Sequence, residues 1–322
     1  MKNALLLIAI LASSVLNAQT LPSYVPTNGL TGWWPFNGDA NDESPNNNNA
    51  TIYGADLTAD RNGVNNSAYE FDYLNSDYAI IPYSSIWNTD TFSVSVWANR
   101  YGSGSGGLMM LARYQYGYSN PHGECWQLGH DDSNSNNQVR ARIVLANQTK
   151  PDIHAPSPSL NAWHNYIMSV EGNYVKLYID GLFIDSMTTT SNINVNSLSP
   201  ISIGVSHQAN GNWEHFNGKL DDIGIWNRAL DSLEIHDLYA SVDNIGITEV
   251  VKDIVVAPNP TSGLLKIVLT SSAEYEVFNI NGQRIIRGVT EGQIDITNLP
   301  TGSYQLIITN EDGRSVHTIQ KI

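Results

Sequence analysis

The sequence runs to 322 residues, enough for two domains with cores of their own. It carries 16 basic and 31 acidic side chains, a net charge of -15, which excludes a nucleic-acid partner because a phosphate backbone needs a basic face. The lone cysteine, Cys125, excludes an internal disulfide, and the acidity suits a soluble exported protein or one that binds cations.

Residues 1–18 read as a secretory signal. Lys2 gives the positive start, Ala4 to Leu11 is an apolar run too short to cross a bilayer, and Leu16-Asn17-Ala18 offers a cleavage site that leaves Gln19 first. No later stretch is long and apolar enough to span a membrane. Residues 28–54 set an aromatic strand before an acidic, Asn-rich loop. In that loop Asp39, Asn41 and Glu43 fall on alternate positions with Asp42 between them, a density of oxygens that suits calcium. It is not an EF-hand, since Ser44 stands where the sharp-turn glycine belongs and Ala50 where the bidentate glutamate belongs. The other reading is an ordinary turn, which Asn and Asp also favour.

Strand signals follow one another through the middle. Phe92, Val94 and Val96 alternate with Ser93, Ser95 and Trp97, and Val139 to Ala146 and Trp163 to Val170 are further β runs. Cys125 lies in a short apolar run without a basic neighbour, which reads as a buried small residue rather than a reactive thiol. Tyr174 to Ile179 pairs with Leu182 to Met187 across Asp180-Gly181, a two-residue hairpin signal, with Val175, Leu177 and Ile179 facing the core. Ile201, Ile203 and Val205 form another alternating strand. Leu220, Ile223 and Ile225 mark a late buried strand, after which the period changes to helical at Leu230, Leu233, Ile235 and Leu238. Asp231 with Glu234 forms a capping box, and Leu230 with Ile235 a hydrophobic staple. Many short strands and one helix predict an all-β sandwich or jelly roll.

Several of these strings together carry a family resemblance. Trp34-Pro35-Phe36-Asn37-Gly38-Asp39-Ala40, Glu70-Phe71-Asp72, Asp77-Tyr78-Ala79-Ile80-Ile81-Pro82, Thr91 to Ala98, and Gly218-Lys219-Leu220-Asp221-Asp222-Ile223-Gly224-Ile225-Trp226-Asn227-Arg228-Ala229-Leu230 occur in this order. The chain thereby resembles laminin G-like jelly rolls, the concanavalin A-like sandwiches, over residues 19–241. In many members a structural calcium joins the opening loop to the closing strand. The resemblance implies Asp39, Asp72 and Asp222 as its ligands here, with Asp221 and Asp42 as alternatives.

Two loops carry residue types that bind sugars, namely aromatic faces for the ring and amide, carboxylate and imidazole groups for the hydroxyls. The first, residues 114–126, supplies Tyr116, His122 and Trp126; the second, residues 207–215, supplies His207, Trp213 and His215. The competing reading makes these aromatics core residues, and Tyr114, Tyr116 and Tyr118 one face of a strand. His122, His207 and His215 are also types that ligate a transition metal, at a spacing that matches no pattern. Against catalysis, the superfamily's glucanases share a Glu-x-Asp-x-x-Glu strand with two working carboxylates. The nearest string here, Glu70-Phe71-Asp72-Tyr73-Leu74-Asn75, ends in an amide that cannot donate the proton.

Residues 242–252 lose the pattern and read as a linker. Residues 253–322 then read as a second, smaller β-sandwich domain nearly balanced in charge, with a Pro-rich turn at Ala257 to Gly263 and hairpin signals at Asn281-Gly282 and Asp312-Gly313. Pro258-Asn259-Pro260, Val277-Phe278-Asn279-Ile280-Asn281-Gly282-Gln283 and Leu299-Pro300-Thr301-Gly302-Ser303-Tyr304 resemble the C-terminal sorting domain of the type IX secretion system of Bacteroidetes (type A). That resemblance implies recognition by the type IX machinery at the outer membrane, then release or attachment to the surface. The expectation is a secreted or surface-held, non-catalytic jelly roll that binds a carbohydrate or a cell-surface glycoconjugate, with calcium as a structural ion. A glycoside hydrolase and a protein-binding adhesin are the alternatives.

Overall fold

The computed structural model describes residues 21–102, 108–114, 123–131, 137–195, 197–207, 213–240, 254–269, 272–280, 284–310 and 313–322. The signal at 1–18 and the linker at 242–252 lie outside them. Two sheets face each other to make the first sandwich. One has eight strands, in the order Leu182–Thr188, Tyr174–Ile179, Trp163–Glu171, Thr91–Arg100, Gly218–Trp226, Ala68–Phe71, Asp56–Thr58, with Leu30–Trp34 also paired to the closing strand Gly218–Trp226. The other has seven, in the order Asp152–Pro156, Gln138–Ile143, Glu124–Asp131, Met109–Tyr114, Ile201–Ile203, Tyr78–Ile81, Thr51–Tyr53.

Alternation along each strand decides what fills the space between. Phe92, Val94 and Val96, Val175, Leu177 and Ile179, and Ile223 and Ile225 of the first sheet meet Ala79, Ile81, Leu128, Ala141, Ile143, Ile201 and Ile203 of the second in one core. The opposite face of the eight-stranded sheet is covered as well. Trp33, Ile167, Tyr178 and Trp226 pack there against Val25, Leu30, Leu230 and the buried Ile235 and Leu238 of the helix Ser232–Ala240 that follows it. The helix starts as the capping box requires. Asp231 accepts from the amides of Leu233 and Glu234 at 2.8 and 2.9 Å, and the Glu234 carboxylate accepts from the Asp231 amide at 3.0 Å. The Asp180-Gly181 turn takes positive φ at both residues, 52° and 70°.

One strand differs from expectation. Ile201, Ile203 and Val205 are not continuous: the strand stops at Ile203, Gly204 takes φ of 75°, and Val205–His207 leaves to pair with Trp213–His215. A Cβ at Gly204 would stand 2.7 Å from the Phe71 ring, so only glycine fits this break. The second domain has its own core, built from Leu265, Ile267, Val277, Ile294, Leu306, Ile308 and Ile319. A three-stranded sheet (Val256–Ala257, Leu264–Ile267, Gln293–Asp295) and a four-stranded sheet (Arg284–Thr290, Ala273–Asn279, Gly302–Asn310, Gly313–Lys321) supply it. Among the described residues no helix is long and apolar enough to cross a membrane.

The closing strand is bulged between Asp221 and Gly224, where its register to Thr91–Arg100 shifts and Asp222 takes φ of 43°. The bulge buries two adjacent carboxylates. Arg61 reaches them from the turn before Ala68, at 3.1 Å to Asp221 and 2.7 Å to Asp222, and its guanidinium lies 4.7 Å from the centre of the Trp97 ring. Replacing Arg61 by Ala leaves both carboxylates buried without it. The expected cost is about 3–5 kcal/mol of stability, read as a lower urea midpoint for the full chain.

Candidate functional site

The seven-stranded sheet keeps its outer face for other uses. Because Ile81, Leu128, Ala141, Ile143, Ile153 and Ile203 point into the core, their alternates point out: Tyr78 and Ile80, Ser202, Gln127, Arg140 and Arg142, Asp152 and His154. The strand pair Val205–His207 and Trp213–His215 is tied to this face at three places. Gln127 donates to the Ser206 hydroxyl at 2.6 Å, Arg140 to Glu214 at 3.1 Å, and the His215 Nδ1 to the Asp77 carbonyl at 3.4 Å. Burial lowers the His215 pKa, so its ring is neutral at pH 7.

At one end of the face Tyr53 and Tyr78 stand opposite each other on paired strands, with ring centroids 4.6 Å apart and planes 13° from parallel. The Tyr53 side is 46% exposed, and His215 is anchored at the residue next to Tyr78. Toward the other end lie charged pairs. Arg140 donates to Asp131 and Gln127 at 3.2 Å besides Glu214, and Arg142 grips Asp152 with two bonds of 2.6 Å. The face thus joins an exposed aromatic platform to the partly exposed Arg142–Asp152 pair and His154, with Gln127 and Arg140 buried between them. Aromatic faces and fixed polar groups are the combination that suits a sugar ring and its hydroxyls.

The predicted site residues distribute unevenly. His215 lies on this face. His207 and Trp213 end the facing strands of the covering pair, with side chains outside the described residues, as are Tyr116 and His122 entirely. The transition-metal set of His122, His207 and His215 therefore also falls largely outside them. Trp126 is a correction. It is 4% exposed in the core, 5.9 Å from Phe92, and offers no face to a ligand; its alternation with Leu128 is the signal that places it there. Cys125 is buried beside it, and burial pushes its thiol pKa up. Tyr53 and Tyr78 escaped the sequence reading, because 25 residues apart they meet only through strand pairing.

Residues 74–236 match the family of concanavalin A-like lectins and glucanases, about half the chain. The chain belongs to that superfamily. Residues 255–322 match the secretion system C-terminal sorting domain. This member therefore carries a type IX sorting domain that engages the secretion machinery and directs it to the cell surface or the medium. No curated protein matches the sequence. Among solved structures the binding domain of Paraclostridial Mosquitocidal Protein 1 is similar at 17% identity and a TM-score of 0.54, over 88% of this chain and 64% of that one. Trypanosoma rangeli sialidase, solved with sialic acid, is similar at 20% and 0.51, over 69% of this chain and 34% of the sialidase. Domain 4 of the arabinanase AbnA from Geobacillus stearothermophilus, solved with arabinotriose, is similar at 18% and 0.49, over 65% and 98%. The chain spans about a third of the sialidase. At these identities the likeness shows the fold alone.

The superfamily resemblance also implied calcium at the junction of opening loop and closing strand. The three carboxylates named for it do not meet. Asp72 accepts from the Leu74 backbone amide at 2.9 Å and the Asn75 side-chain amide at 3.4 Å within its own turn, while Asp39 accepts from Asn41. Asp222 holds Arg61 and accepts from the Tyr24 hydroxyl at 3.2 Å. Asp42 braces the loop through the amides of Trp33, Ser44 and Asn48. Among the described residues no three His, Cys, Asp or Glu side chains converge as a metal site. The electrostatics nevertheless point to Glu43. Burial first, then the neighbouring Asp39, Asp222 and Asp42, push its carboxyl from 4.5 up to about 7. Asp39, Glu43 and Asp222 are donors of the hard-oxygen kind calcium takes, and they fit such an ion in kind.

A raised carboxyl makes stability fall with pH: the contribution is complete below about pH 4.5 and is lost as pH rises through about 7. In chelator, Glu43→Gln and the wild type are expected to melt together at pH 4. At pH 8 the variant is expected to melt higher, and equal melting at both pH values would show that Glu43 does not feel its neighbours.

Proposed function

We propose that this protein is a non-catalytic binding module, exported through its sorting domain, that takes a carbohydrate or cell-surface glycoconjugate on the outer face of the seven-stranded sheet. The observation that carries the reading is the exposed Tyr53–Tyr78 stack beside His215, next to side chains already fixed by hydrogen bonds. Fixed partners matter because a binding site loses affinity for every side chain that must be ordered on binding. The non-catalytic part is supported by the carboxylates of the one string similar to a glucanase strand. Glu70 accepts from the Tyr101 hydroxyl at 2.9 Å, Asp72 is engaged in a turn, and the third position is Asn75.

The reading is tested with a glycan array of the full secreted chain, followed by titration of the best ligand against Tyr53→Ala and Tyr78→Ala. Each variant is expected to bind about tenfold more weakly or worse, the factor that about 1.4 kcal/mol of lost stacking represents. Unchanged binding by folded variants would remove the platform. Hydrolysis of any glycan on the array would favour a hydrolase, and capture of proteins with no glycan bound would favour an adhesin.

Calcium enters the same reading as a structural ion at the opening loop and closing strand, with Asp39, Glu43 and Asp222 as donors. It supplies positive charge there and takes no part in ligand contact. Calcium is expected to raise the melting temperature relative to chelator, since an ion bound only by the folded chain stabilises it by mass action. Glu43→Gln is expected to abolish that increment, and a wild type indifferent to calcium would rule the ion out.

A further inference from the structure

We propose that the outer face of the seven-stranded sheet selects uncharged glycans and rejects acidic ones such as sialylated or sulfated chains. The proposal rests on the binding role given above and adds its ligand class. Recognition of a carboxylate or sulfate calls for a guanidinium or ammonium with donors to spare, held in place for the anion. The cations of this face are already engaged. Arg140 is bound to Asp131 and Glu214, Arg142 holds both oxygens of Asp152, and Lys150 is paired with Glu124. His154 stands 3.8 Å from Asp131. These four carboxylates outnumber the three permanent cations.

Burial makes the pairing hard to exchange. The Arg140 side chain is only 5% exposed, and that of Glu214 13%. An acidic sugar that took either arginine would leave a carboxylate without its partner in a half-buried row of like charges. In sequence, segments 115–122 and 132–136 between strands of this sheet, and 208–212 within the covering pair, contain neither Lys nor Arg, and the second adds Asp132. The connection 144–151 supplies only Lys150, the partner of Glu124. The net charge of -15 opposes an anion at longer range too. What the face offers instead is indifferent to ligand charge: the Tyr53–Tyr78 stack and the neutral His215 ring, while Gln127 is buried between Ser206 and Arg140.

The test uses the full secreted protein and matched glycans that differ only by a terminal sialic acid or a sulfate. The neutral member is expected to bind about tenfold or more tightly than its acidic counterpart, with an affinity that stays flat as ionic strength is raised about tenfold. Asp152→Asn and Glu214→Gln, which release Arg142 and Arg140 from a carboxylate, are each expected to narrow the preference. Preference of the wild type for the acidic member, with affinity falling as salt rises, would overturn the inference and leave the binding role standing. Binding of neither member, or of any glycan, by folded protein would overturn the binding role and the inference with it.

Discussion

Arg61 and the two carboxylates of the bulge are the constraint around which the first domain closes. A carboxylate buried at the centre of a sheet is costly unless its partner is held as firmly as itself. Arg61 is held on both sides, by Asp221 and Asp222 on one and the Trp97 ring on the other. Trp97 in turn stacks on Tyr239 at the end of the helix, 5.8 Å between centroids, and Tyr24 meets both the Asp222 carboxylate and the edge of Trp33. The network therefore joins the start of the described chain, the turn before Ala68, the closing strand and the helix. The closing strand and the helix follow each other directly, but Tyr24 and Arg61 reach them from the far end of the sequence, so a break at any of these points exposes the same buried charge.

The network also explains where negative charge accumulates. Two carboxylates share one guanidinium, and burial raises the pKa of both in spite of it. Asp222 also acts on Glu43 of the opening loop, after burial and Asp39. This junction belongs to the eight-stranded sheet, whose outer face is taken by the helix and by Val25 and Leu30. The face proposed for binding belongs to the other sheet, which, among the described residues, a short strand pair crosses. Division of labour between the sheets follows: one is closed over on both sides and holds the fold together, the other leaves a face to the outside. An ion at the junction would act on binding only through the stability of the whole sandwich.

What was legible in the sequence is what depends on near neighbours. The capped helix after Leu230, the Asp180-Gly181 hairpin and the alternation of Phe92 to Trp97 are set by residues within a few positions, and they stand as read. Trp126 was misread although its alternation with Leu128 was visible, because its residue type suggested a sugar platform more loudly than its position suggested a core. The split at Gly204 was hidden since Val205 keeps the apolar rhythm of Ile201 and Ile203 after leaving the sheet. Arg61 and Asp221 are 160 residues apart, and the Tyr53–Tyr78 stack depends on which strands lie at the sheet edge. Such pairings arise from topology, which no local pattern encodes.

A strongly acidic chain opposes acidic ligands at long range, so the proposed role in holding sugars turns on where its cations stand. Arg113 is wholly buried and donates to the carbonyls of Trp87 and Ser197, and Arg61, Arg140 and Arg142 are paired with carboxylates. Each is spent on holding backbone or neighbouring strands in place. Stacking and hydrogen bonds act over a few ångströms and do not depend on the charge of the whole molecule. The net acidity acts at longer range, where it opposes acidic surfaces.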